Sequence, residues 1–138
     1  MTGGALLLRF AAGVIALMPV TVAAARGEVV TLDTHDGTTA RYSLAGVLKD
    51  ATAALVLLPG GGGFLKLKND GCPRKLKGNS LVRSRLLFHA AGFATALVDA
   101  LSDRHGKAGL GGFQIEAGHA GDIGKFIADV RRRTNLPV

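Results

Sequence analysis

Ala53-Ala54-Leu55-Val56-Leu57-Leu58-Pro59-Gly60-Gly61-Gly62-Gly63-Phe64 decides how this chain is read. Its first six residues are continuously apolar and too few for a helix of ordinary length, the pattern of a strand buried on both faces. Four glycines follow at once. Glycine lets a backbone approach a ligand closely and adopt conformations that other residues resist. In open α/β sheets, ligands bind beyond the carboxyl ends of strands. The amides of this loop are therefore placed to hold an anion or a developing oxyanion. Two phosphate motifs fail here: the dinucleotide fingerprint needs a glycine at Leu65, and the P-loop needs a Gly-Lys pair that Leu65-Lys66 does not supply.

Outward from that stretch the pattern stays regular. Glu28 to Asp33 and Ala40 to Leu44 alternate apolar with polar, and His35-Asp36-Gly37-Thr38 between them reads as a hairpin turn. After the loop, Asn79 is a good N-cap for a helix over Ser80–Ala91, with Val82, Leu86 and Ala90 on one face and Gly92 at its end. Phe93–Val98 is a second buried strand, followed by a glycine-rich loop from Asp99 to about Gly118. Ala120, Ile123, Ile127 and Val130 mark the apolar face of a second helix, with Asp122 near its positive end and Arg131–Arg133 matching the dipole at the other. A hairpin leading into βαβα predicts an α/β fold: a partial, mostly parallel open sheet with an N-terminal antiparallel hairpin and flanking helices. The chain stops at Asn135-Leu136-Pro137-Val138, where a further strand is expected to begin, so 26–138 reads as the N-terminal portion of a longer domain.

The first 25 residues hold no acid and one base, Arg9; an apolar run from Phe10 to Val22 precedes Ala23-Ala24-Ala25. Those are the parts of a secretory signal peptide, so 1–25 is read as removed on export to the periplasm or beyond, with membrane contact only during export. The run is shorter than the roughly 18 apolar residues of a membrane span.

Composition narrows the chemistry. The 138 residues include 20 glycines, 4 prolines and one cysteine, with 17 Lys+Arg against 10 Asp+Glu for a net charge of +7. The glycines have no three-residue period, so the chain is not collagen-like, and the aliphatic content is too high for disorder. A single cysteine, Cys72, excludes an internal disulfide framework and a cysteine-based zinc site; in an exported protein it can pair outside this chain. Lys66, Lys68, Arg74, Lys75, Lys77, Arg83 and Arg85 crowd together, opposed only by Asp70. They lack interleaved aromatics, so specific nucleic-acid binding is not expected, and their simplest role is to solubilise a long loop. His35, His89, His105 and His119 show no ligand spacing, so neither a metal nor a cofactor is expected. Ser80, Ser84 and Ser102 lack a strained glycine elbow and are poor nucleophiles.

The run Pro59-Gly60-Gly61-Gly62-Gly63-Phe64, after a third strand and ahead of helix, strand and helix, resembles the N-terminal half of the α/β-hydrolase superfamily over about residues 28–138. In that family this loop carries an oxyanion-hole amide, often in a His-Gly-Gly-Gly setting. The resemblance implies an oxyanion hole at Gly61 and Gly62, a substrate pocket shaped by Gly60, Gly63 and Phe64, and a serine on the strand that would begin near Val138. Asp99 and Asp103 are further candidates to line that pocket, although Asp99 also suits an ordinary strand-end turn. Pro59 stands where many members have His, which matters little because the hole uses backbone N–H groups. No G-x-S-x-G is present, and the family's acid and histidine follow its serine, so no triad residue is assigned here. The expected function is the N-terminal part of an exported serine hydrolase acting on a small ester or similar acyl substrate, inactive alone. A non-catalytic α/β module holding an anionic ligand through its glycine-rich and basic loops stays open beside it.

Overall fold

The computed structural model describes residues 26–106 and 109–138; the signal-peptide expectation for 1–25 lies outside them. Strands β1 (Glu28–Asp33) and β2 (Thr39–Ala45) form an antiparallel hairpin. At its tip Asp36 and Gly37 take φ of 41° and 73°, a backbone that Asp and Gly tolerate better than other residues. Strand β3 (Ala53–Leu57) leads through the long loop to helix α1 (Ser80–Ala90), strand β4 (Phe93–Val98) and helix α2 (Ala117–Thr134). Asn79 caps α1 by accepting from the Leu81 amide at 3.0 Å. α2 ends on Asn135, left-handed at φ 55°.

The strands lie in the order β1-β2-β4-β3. β4 runs parallel to β3 but antiparallel to β2, so two of the three pairings are antiparallel. The expectation of a mostly parallel, α/β-hydrolase-like sheet is therefore wrong; this is a small α/β domain on a mixed sheet. The apolar runs in β3 and β4 carried that expectation, yet an apolar run reports burial and not direction. Only the β3–α1–β4 crossover forces a parallel pair. β4 is buried from Ala94 to Val98 because it is central, between β2 and β3. β3 lies at the edge of the sheet, with Leu55 and Val56 only half-buried rather than covered on both faces. The Ala54 amide donates to the Pro137 carbonyl at 2.8 Å, which ties the last residues to that strand.

Alternation along β4 sorts the core into two layers. Ala94, Ala96 and Val98 join Tyr42, Phe126 and Val130 on the α2 side. Leu97 joins Leu57, Leu65, Leu67 and Val82 on the α1 side. Both helices bury only part of their expected faces: Val82 and Val130 are buried as expected, whereas Ala90 is exposed. α1 buries Val82 and Arg85 while Leu86 is 38% exposed, and α2 buries His119, Asp122, Phe126, Asp129 and Val130 while Ala120 is exposed. The two aspartates enter the α2 face because each finds a partner elsewhere in the chain: Asp122 Oδ2 lies 2.7 Å from His35 Nδ1, and Tyr42 donates to Asp129 at 2.6 Å. Arg132 and Arg133 also pair with Asp129, and Arg133 reaches Glu28 at 3.3 Å, so the arginine run ties α2 down as well as matching its dipole. Among the described residues no helix is long and apolar enough to cross a membrane.

Candidate functional site

A cavity of about 260 Å³ opens at the carboxyl ends of β3 and β4, the parallel pair. Leu58, Pro59, Gly60 and Gly63 form one side, Val98, Asp99 and Leu101 the floor, and Leu110, His119, Ile123 and Phe126 the other side. The lining is mostly aliphatic and aromatic, as expected of a site that takes an apolar group.

The glycine loop is held from behind. Asp99, 5% exposed, accepts from three backbone amides: Leu65 at 2.6 Å and Ala100 at 2.9 Å on Oδ1, and Leu67 at 2.9 Å on Oδ2. A carboxylate collecting several N–H groups makes strong, charge-assisted bonds. The side chains of Leu65 and Leu67 are buried in the α1-side core, so this anchor fixes the loop where it leaves the cavity. On the other side the Leu110 amide donates to the Gly62 carbonyl at 3.2 Å. There Gly109, at φ 52°, lies so close to Gly62 that a Cβ would overlap its backbone. Gly61 and Gly63 take φ of 73° and 67°, which a four-glycine run allows. Among the described residues, the amides of Gly61 and Gly62 donate to no protein acceptor.

The structure brings together only part of the expected pocket. Gly60, Gly63 and Asp99 line the cavity, and Asp99 acts chiefly as the loop's anchor. Gly61, exposed, and Gly62, half-buried, sit at the crest of the loop and do not line the cavity. Phe64 turns outward, stacked on the His105 ring at 4.3 Å with Lys75 Nζ 4.9 Å above it. Asp103 lies elsewhere, 3.9 Å from His35 Nε2 and 3.3 Å from Arg104 Nε. No family model, curated protein or solved structure matches this chain.

Sequence reasoning passed over His119. It is 8% exposed, lines the cavity, and packs edge-on to Phe113 with ring centres 5.4 Å apart. Its Nδ1 is buried with no hydrogen-bond partner among the described residues. Such a nitrogen costs about 1–3 kcal/mol unless something bonds to it. No spacing marks it in the sequence, because its neighbours come from the cavity wall and from the loop before α2.

Proposed function

We propose that this chain is the acyl-binding part of an exported serine hydrolase acting on an ester or similar acyl bond. In this reading Gly61 and Gly62 present their amides to the oxyanion, and the cavity behind Gly60 and Gly63 takes the acyl chain. The nucleophile, its histidine and its acid are not assigned to residues of this chain. One observation carries the reading: the loop whose Gly60 and Gly63 line an apolar cavity holds, between them at Gly61 and Gly62, amides that donate to nothing else among the described residues, and a buried carboxylate anchors the loop behind them. Acyl transfer places negative charge on the carbonyl oxygen, and amides fixed in advance stabilise it without reorganising. His119 joins Asp99 and Gln114 as the polar groups of a mostly apolar wall.

The test pairs activity with binding. The chain incubated with p-nitrophenyl butyrate should release no more product than an albumin control. Butyrate, whose carboxylate mimics the oxyanion, should shift the amide resonances of Gly61 and Gly62 in ¹⁵N-labelled protein. Unchanged glycine amides at high butyrate would refute the site. Turnover abolished by a serine-directed inhibitor would refute the claim that the chain lacks a nucleophile.

A further inference from the structure

The second feature lies on the α1 side of the sheet and shares no lining residue with the acyl cavity. Arg85 projects from α1 and is 3% exposed. Its Nε donates to Thr95 Oγ1 at 3.4 Å and a terminal nitrogen donates to Ser43 Oγ at 3.1 Å. Both acceptors are neutral hydroxyls, and none of the ion pairs among the described residues includes Arg85. A guanidinium carries five N–H donors, of which these bonds use two. Burial lowers its pKa more than the neighbouring Cys72 thiol raises it, the direction expected of a cation removed from water without a carboxylate beside it. A charge buried in this way is strongly unfavourable, and a methionine would fill the same space without it. The position calls for an anion.

A cavity of about 470 Å³ adjoins Arg85 and has room for one. Lys68, Arg74, Lys77 and Arg83 also line it, and no acid does. The nearby acid Asp70 is engaged by Lys68 at 3.2 Å and by the Cys72 amide at 3.0 Å. The rest of the wall is Cys72 and the largely apolar Val82, Pro73 and Leu86, the last 38% exposed amid the charges. Solubilising a loop accounts for exposed Arg74 and Lys77 but not for an arginine turned into the core.

We propose that this cavity binds a small phosphorylated organic compound, its phosphate on Arg85 and the basic rim and its apolar part against Val82 and Leu86. The volume falls within the roughly 300–1,000 Å³ of small-molecule sites. The planar guanidinium fork matches phosphate oxygens, and several surrounding cations suit a dianion better than a carboxylate. No aromatic side chain lines the cavity, so it lacks the stacking platform of a single-stranded nucleic-acid site.

Calorimetric titration of the whole chain with phenyl phosphate at low salt tests this. Saturable binding of one equivalent is expected, weakened about tenfold or more by Arg85→Met. The double variant Arg74→Ala/Lys77→Ala should lose about three- to tenfold, since its groups are exposed. Inorganic phosphate should bind more weakly than phenyl phosphate, having nothing to lay against Leu86. Phenyl phosphate should raise the Tm of the parent and not that of Arg85→Met. If Arg85→Met fails to fold, the exposed double variant decides. No saturation by about 10 mM would overturn the proposal, as would equal affinity in the variants. So would equal affinity for inorganic phosphate, or binding of an oligonucleotide that phenyl phosphate does not displace.

Discussion

Asp99→Asn should loosen the glycine loop, and the geometry sets the size of the effect. The native carboxylate accepts from Leu65 and Ala100 through Oδ1 and from Leu67 through Oδ2. Asparagine offers one acceptor oxygen. With that oxygen at the Oδ1 position, the side-chain NH2 faces the Leu67 amide across 2.9 Å, donor against donor. Leu67 is 4% exposed, so its amide has little access to water in exchange. Losing one charge-assisted bond and leaving a buried N–H unpaired costs about 3 kcal/mol. For a domain of this size that lowers Tm by about 10 °C. The same free energy appears locally as about a hundredfold loss of hydrogen-exchange protection at the Leu65 and Leu67 amides. Thermal unfolding followed by circular dichroism, with exchange measured by NMR, reads both. A fall in Tm under about 3 °C with unchanged protection at these two amides would refute the anchor.

Three further outcomes follow from the same contacts. Burial pushes the Asp129 carboxyl up, but the bonds from Tyr42, Arg133 and Arg132 outweigh it and hold it below the ordinary carboxylate range. Its stabilisation is therefore present above the unfolded pKa of about 3.9 and is lost as pH falls through the folded value, so Asp129→Asn should lower stability at pH 7 and flatten its decline in acid. Asp70, held low by the Cys72 amide and Lys68, keeps its own share of the acid dependence, so urea titrations of Asp129→Asn from pH 7 to 2 should show a reduced but not abolished acid slope; an unchanged slope would count against the Asp129 network. His119→Leu should cost no more than about 1 kcal/mol, because it removes an unpartnered buried nitrogen, and should abolish the butyrate shifts at Gly61 and Gly62; a loss above about 2 kcal/mol would mean that His119 is a structural residue. Residues 1–30 fused to a phosphatase that is active only after export should yield active enzyme cleaved before Arg26, and uncleaved, inactive fusion would remove the signal-peptide reading.

What the sequence determined on its own was local. The Asp36-Gly37 turn, the Asn79 cap, the left-handed Gly92 after α1 and the glycine run after β3 each meet a conformational demand within a few residues. Such demands are written in neighbouring letters, so periodicity and turn chemistry place these elements. Strand direction was not local. β4 lies against β2 as well as β3, and no residue in the β4 run states which neighbour it will meet. The same holds for the groups that matter most at the two cavities. Asp99 takes its amides from 32 and 34 positions away, Arg85 reaches Ser43 across 42, and His119 is stranded by the walls around it. A charged residue reads as solvated by default, because leaving water is costly. Only the packed structure put Asp99 and Arg85 inside, where partners that can offset that cost are brought from distant parts of the chain.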